Sequence, residues 1–309
     1  MRVRHMRCCI WLIGGTSESA QLARALSKQE LPYVVTVTTA AAKRLYPDDA
    51  QVWVGLLNAQ SAVQFIAQWQ VRCILDASHP FACEISQLAM NCAESQSIDY
   101  LRYERPAVKS AVNSVVHPAV NPSVNDSKDI EDTEADSGGA SAISPQGFQG
   151  ITELQDKGTV ISVNSIPDLL ESDILRGQRV LFTVGYRYLS HFSSLRPDSQ
   201  LFARILPSVA AISGAIAAGF SPAEIIALKP PVSAAVECAL WQQWNITQVV
   251  AKASGKPSGE STKRAVAADL GIPLILIKRP QMMYLNQTDC VLDAIEFCRK
   301  VLRVYYPNA

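Results

Sequence analysis

None of the eight cysteines in this 309-residue chain forms a Cys-x-x-Cys pair, so neither a zinc site nor a disulfide framework has its usual spacing. Cys8, Cys9, Cys73, Cys83, Cys92, Cys238, Cys290 and Cys298 mostly sit inside apolar runs. That placement predicts buried free thiols in a reducing cytoplasm. Net charge is also missing, because Lys+Arg and Asp+Glu number 28 each. Nothing electrostatic therefore points to nucleic acid or an anionic membrane as partner. No run of about 18 apolar residues is present, so no membrane span is expected. The basic-then-apolar start MRVRHMRCCIWLIGG is read as the approach to a first strand, since its apolar part is short and ends in a Gly-Gly-Thr turn. Ser-His-Asp, H-E-x-x-H, EF-hand and Walker A patterns are all absent, which demotes nucleophilic and metal-assisted hydrolysis. No metal site is expected.

What is present is core material. Apolar residues make up 48% of the chain and charged residues 18%, enough for about two domains. Short apolar runs alternate with helical patterns. Cys8–Ile13, Tyr33–Thr38, Arg72–Ala77 and Tyr100–Tyr103 read as strands of a buried parallel sheet. Glu18–Lys28 and Ser61–Trp69 carry apolar residues at helical spacing, and Pro80 suits the start of another helix. The second half repeats the order with strands Arg179–Val184, Leu201–Ile205, Glu224–Leu228, Thr247–Ala251 and Pro273–Ile277, and helices Ser233–Trp244 and Ser261–Leu270. IDYLRYERP at Ile98–Pro106 echoes IPLILIKRP at Ile272–Pro280. The expected fold class is α/β, with two Rossmann-like parallel-sheet domains arising by internal duplication. Residues 1–107 form the dinucleotide-binding domain and residues 158–309 complete the cleft. Between them, residues 108–157 hold an acidic run and Ser/Gly/Pro-rich sequence with few large apolar side chains, so a disordered insertion is expected there.

Three stretches carry candidate chemistry. Gly14-Gly15-Thr16-Ser17 follows the first strand; a glycine turn opening a helix lets backbone N–H groups approach a pyrophosphate. The competing reading is a glycine turn with a Ser/Thr cap and no ligand. After the second strand, Thr36–Ala42 contains no acid to bind ribose hydroxyls, and Thr38, Lys43 and Arg44 suit a 2′-phosphate instead. NADPH is therefore expected over NADH. Asp76, Ser78 and His79 stand at the end of a buried strand, where open α/β sheets bind ligands; they are the candidate catalytic residues. Arg102, Arg105, Lys252, Lys256, Lys278 and Arg279 trim other strand ends. Clustered cations there suit a polycarboxylate.

These stretches resemble the precorrin-6A reductase family of cobalamin biosynthesis. The matching pieces are Ile13–Glu18, Asp76–Ala82, Tyr100–Pro106, Phe182–Gly185, Lys252-Ala253-Ser254-Gly255 and Lys278-Arg279-Pro280. Lys229-Pro230-Pro231-Val232-Ser233 stands where the family tends to have an Arg-Gly-Pro-Phe-Ser-like turn. The resemblance implies NADPH-dependent reduction of one double bond of the precorrin-6A macrocycle, with or without cobalt, in a cleft between two Rossmann-like domains. It implies a tetrapyrrole polycarboxylate as substrate, bound by Arg102, Arg105, Lys252, Ser254 and Gly255. Neighbouring corrin-pathway enzymes are candidate partners. His79, Tyr186 and water are all open as proton donor. Two alternatives stand beside this reading: another NADP-dependent oxidoreductase on a Rossmann scaffold, or a non-catalytic NADPH-binding regulator.

Overall fold

The computed structural model describes residues 9–105, 151–155 and 160–305. In the first half, β1 (Cys9–Ile13), α1 (Ser17–Lys28), β2 (Tyr33–Val37), β3 (Gln51–Val54), α2 (Ala59–Trp69), β4 (Val71–Asp76), α3 (Cys83–Gln96) and β5 (Asp99–Tyr103) follow one another. Alternation along β1 explains why it is central. Ile10 and Leu12 pack on the α1 side, while Cys9, Trp11 and Ile13 pack on the α2 and α3 side, as a period of two dictates. Helix α1 forms because Ala20, Leu22, Ala23 and Leu26 share its buried face and Thr16 caps it. The helix expected to open at Pro80 begins at Cys83 instead, because the Ala82 N–H is turned back to the His79 carbonyl at 2.8 Å.

The second half runs β6 (Ile151–Gln155), β7 (Val160–Val163), α4 (Ile166–Glu171), β8 (Arg179–Phe182), β9 (Gln200–Ile205), α5 (Val209–Ala217), β10 (Ile225–Ala227), α6 (Ala234–Gln243), β11 (Gln248–Lys252), α7 (Glu260–Leu270) and β12 (Leu274–Ile277). A 3₁₀ segment, Tyr186–Leu195, stands between β8 and β9. The chain closes with β13 (Gln287–Thr288) and α8 (Val291–Tyr305). No helix among the described residues is long and apolar enough to cross a membrane. The seven described cysteines are free thiols, and Cys9, Cys73, Cys92 and Cys298 are buried.

The first sheet has the order β13-β5-β4-β1-β2-β3 and is parallel throughout. The second has the order β10-β9-β8-β11-β12-β7-β6 and is parallel except for β6 against β7. Read from the other edge, β12-β11-β8-β9-β10 repeats the order β5-β4-β1-β2-β3, as a duplicated unit should. The sixth strand is exchanged between halves. β7 follows the first half in sequence but pairs in the second sheet, and β13 follows the second half but pairs with β5.

Two expected boundaries are corrected by this exchange. The domain expected over 158–309 gives its last two elements to the first sheet, where α8 buries Ala294, Ile295, Cys298, Val301 and Leu302 in one core with α1. The insertion expected over 108–157 lies outside the described residues except at 151–155. There the backbone forms the edge strand β6, which pairs antiparallel with β7.

Candidate active site

Loops that leave the strands' carboxyl ends in the two sheets touch one another, Phe81 packing against the core of the second half and Arg279 pairing with Glu104. In the first sheet the strand order reverses between β1 and β4, the position where open α/β sheets leave a crevice. Two turns meet there. The Thr16 hydroxyl donates to the Ala77 carbonyl at 2.8 Å, and the Ala77 N–H donates to the Ile13 carbonyl at 3.1 Å. Gly15 has φ +97° and open space where a Cβ would stand. A Cβ at Gly14 would come within 2.6 Å of a Val35 methyl and overlap the Tyr46 hydroxyl, so the glycine pair is required on steric grounds.

The Gly15 N–H is already engaged, donating to the Tyr46 hydroxyl at 2.7 Å. Tyr46 is buried and its hydroxyl also bonds Ser19. The Thr16 N–H bonds the Ser19 hydroxyl. The N–H groups left without a partner among the described residues are those of Ser17 and Glu18, in the first turn of α1. The turn expected after β1 is formed, and its Gly15 and Thr16 N–H groups are satisfied from within the protein. Tyr46 carried no sequence signal, since it stands nearly 30 residues from Ser19 beyond an ordinary polar helix. Thr38, Lys43 and Arg44 are exposed after β2, the two cations on a 3₁₀ segment spanning Ala40–Leu45.

Asp76 lies elsewhere than a reacting group should. It is wholly buried. One carboxylate oxygen accepts from the Ser78 N–H and from Arg102, both at 2.9 Å; the other accepts from Ser86 at 2.6 Å and Tyr100 at 2.8 Å. Burial, with the Asp76 charge next, raises the Tyr100 pKa and keeps the phenol protonated. Arg102 is fully buried too. It gives Nη1 to Asp76 and the Ser78 hydroxyl, Nη2 to the Ser78 carbonyl and Glu104, and Nε to Glu104. Burial opposes charge on Arg102, but Asp76 and Glu104 outweigh it and raise its pKa. Asp76 and Ser78, expected as catalytic, and Arg102, expected to contact substrate, thus meet in one buried network. These side chains saturate one another and hold the turn that carries His79. The cause is register, because Asp76 and Arg102 are direct partners on β4 and β5.

His79 is half-buried, and its Nδ1 accepts from the Phe81 N–H at 3.2 Å. Burial first, then the nearby Arg105, Lys252, Arg102 and Arg279, lowers its pKa to about 3. At neutral pH it is an uncharged ring with Nε2 carrying the proton. Arg105 pairs with Glu18 at 2.7 Å beside Ser78 and Pro80. Glu104 joins the two halves, with one oxygen on Arg102 at 2.7 Å and the other on Arg279 at 2.7 Å. Arg279 in turn donates to the Ala253 carbonyl at 2.9 Å and the Arg105 carbonyl at 2.8 Å.

On the opposite wall Phe81 reaches into the core of the second half, and the Tyr188 hydroxyl donates to the Phe81 carbonyl at 3.4 Å. The Lys252 ammonium sits 3.7 Å from the Tyr188 ring centroid and 4.8 Å from that of Phe81. Ser254 and Gly255 are buried and turned inward. The Ser254 hydroxyl donates to Ser258 at 2.7 Å, and the Gly255 N–H to Glu260 at 2.8 Å. Both residues, expected to contact substrate, here shape the loop after β11. Tyr186 lies along Gly214, where a Cβ would overlap its ring.

A family model described as precorrin-6x reductase CbiJ/CobK matches residues 9–127 and 148–299. Cobalt-precorrin-6A reductase of Synechocystis sp. is 39% identical over 295 residues, covering 95% of this chain and 97% of that protein. Cobalt-precorrin-6A reductase of Salmonella typhimurium is 28% identical over 272 residues, covering 88% and 87%. A solved structure described as CobK precorrin-6A reductase superposes with a TM-score of 0.66 at 18% identity, covering 95% of this chain and 97% of that one. At that identity the superposition speaks for the fold.

Proposed function

The chain belongs to the precorrin-6x reductase CbiJ/CobK family, and on that premise we propose that NADPH is its reductant and the cleft between the two sheets its active site. It is an oxidoreductase of cobalamin biosynthesis that reduces a ring C=C bond of the precorrin-6A macrocycle. The cobalt-bearing macrocycle is the proposed substrate form, because the 39% and 28% identical relatives carry that name.

The observation that carries the cofactor reading is the first turn of α1. Gly15 leaves open space, and the Ser17 and Glu18 N–H groups stand at a capped helix N-terminus, which favours an anion. When bound, NADPH supplies the hydride, and the protein supplies orientation and charge. Ser17 and Glu18 bind pyrophosphate oxygens through their N–H groups. Arg105 neutralises the Glu18 carboxylate so that it does not repel them. Lys43 and Arg44 bind the 2′-phosphate from the exposed segment after β2. His79, uncharged, offers Nε2–H as a hydrogen-bond donor in the cleft. Arg105 and Lys252 face the carboxylate-bearing substrate.

Anaerobic incubation of the protein with NADPH and cobalt-precorrin-6A, followed by absorbance, tests this reading. NADPH absorbance should fall only when the macrocycle is added, faster than with NADH in its place. Tight NADPH binding without turnover of either the cobalt or the metal-free macrocycle would make the protein a dinucleotide-binding regulator instead.

A further inference from the structure

The cations around the cleft differ in what holds them. Arg102 is bound to Asp76 and Glu104, Arg105 to Glu18, and Arg279 to Glu104. Lys252, at the carboxyl end of β11, has no carboxylate partner among the described residues. Its ammonium rests on the faces of Tyr188 and Phe81. Aromatic faces attract an ammonium but take no proton from it. Its N–H donors thus stay available to a molecule entering the cleft. Three other groups there are poorer acids. His79 is uncharged and bonded through Nδ1. The Tyr188 hydroxyl is given to the Phe81 carbonyl, and Asp76 is sealed by its four donors.

Resting on the function proposed above, we propose that Lys252 is the general acid of the reduction, delivering a proton to the ring carbon next to the one that receives hydride. The step balances. Hydride from the reduced nicotinamide adds to one carbon of the C=C bond, and the π pair moves to its neighbour. That carbon takes a proton from Nζ, and the N–H bond breaks. The products are oxidised nicotinamide, a saturated carbon–carbon bond and a neutral amine, which recovers its proton from solvent.

The electrostatics suit this role. Burial first, then the Arg187 charge, lowers the Lys252 pKa to about 8, with Cys83 acting in the opposite direction. Phe81 from the β4 turn and Tyr188 from the 3₁₀ segment pack against it; Arg187, His79 and Cys83 interact with it electrostatically, and Glu84 does so with Tyr188. A general acid works best when its pKa lies near the working pH. The charged form prevails below about pH 8, so kcat should fall as pH rises through that value.

The test uses the full chain as wild type, Lys252→Met and Lys252→Arg. Lys252→Met should bind NADPH as wild type does, by fluorescence titration, and lose about 10²–10⁴-fold in kcat. Lys252→Arg should keep KM within a few-fold through its charge, yet stay as slow as Lys252→Met, because a guanidinium releases no proton at these pH values. The alkaline limb of the wild-type kcat profile should vanish in both variants. Without substrate, labelling of Lys252 by an amine-reactive reagent, followed by mass spectrometry across pH, should be half-maximal near pH 8. Recovery of kcat in Lys252→Arg would overturn the proposal and leave Lys252 as a carboxylate-binding charge. A labelling midpoint at the ordinary lysine value, or variants within threefold of wild-type kcat, would overturn it as well. Absence of turnover by wild type would instead strike the functional reading itself.

Discussion

Both sheets carry the same strand order, yet the turns at their carboxyl ends are built differently. Leaving β1, the chain enters a 12-residue helix through a capping box at Thr16, with two unpaired N–H groups in its first turn. Leaving β8, the equivalent strand, it enters the 3₁₀ segment Tyr186–Leu195 through Gly185, with no side-chain cap. Hydrogen-bond geometry is poorer in a 3₁₀ segment, and this turn lacks the capped α-helical first turn that stands after β1. The turn after β11 is closed on itself. Glu260 takes the Gly255 N–H, and the buried Lys263 ammonium donates to the Ser258 carbonyl at 3.0 Å and the Gly259 carbonyl at 3.3 Å. Burial lowers the Lys263 pKa to about 8, with Arg204 adding to the effect. One copy of the unit has kept an open helix end, and the other has filled its own and offers Lys252 and Tyr188. On the function proposed above, the duplicated scaffold divides labour between a dinucleotide side and a substrate side.

The sharpest break would come from Asp76→Ala. It leaves Arg102, Tyr100 and Ser86 without their buried acceptor, and the loss of one partner of a buried ion pair costs about 3–5 kcal/mol. Chemical denaturation should show that loss. A change below about 1 kcal/mol would mean that Asp76 is kept for chemistry rather than for framing the turn.

Next in size, Gly15→Val should weaken NADPH binding by more than about a hundredfold, because a β-branched residue resists φ +97° and fills the open space. Gly185→Val, at φ +87° with similar space around it, should leave NADPH affinity near wild type. The reverse pattern by titration would exchange the roles of the two halves.

Lys43→Ala with Arg44→Ala should cost about tenfold to a hundredfold in NADPH affinity, the worth of a charge-assisted contact. NADH affinity should not move. Equal losses for both dinucleotides would place the 2′-phosphate elsewhere.

The smallest effect is expected from Tyr46→Phe, which removes the acceptor of the Gly15 N–H. A loss of about 1 kcal/mol, or roughly 2–4 °C in Tm, should follow. No change in Tm would mean that water replaces the hydroxyl.

Most strands were legible because parallel, doubly covered strands are short apolar runs, as Ile10–Ile13 and Leu274–Ile277 are. β13 was not, since Gln287 and Thr288 carry no such signal and are a strand only because β5 has an open edge. What was legible of the candidate site is which turns come together. The turns at Gly14–Ser17 and Asp76–His79 do meet. That Asp76 spends itself on Arg102 depends on two strands aligning in register, and strand register is a long-range property. The same limit hid Glu104, whose partner Arg279 is 175 residues away.

The exchange of sixth strands also has a consequence for synthesis. The core under β1 and β4 is closed by Ile295, Cys298, Val301 and Leu302 of α8, which leave the ribosome after the whole second half. Domains generally fold in the order in which they emerge. Here the first sheet emerges first but is completed last, so its apolar face waits uncovered while the second sheet is made. A nascent chain halted after β12 should therefore display a finished second unit beside an unfinished first one, with the apolar face under β1 and β4 still exposed.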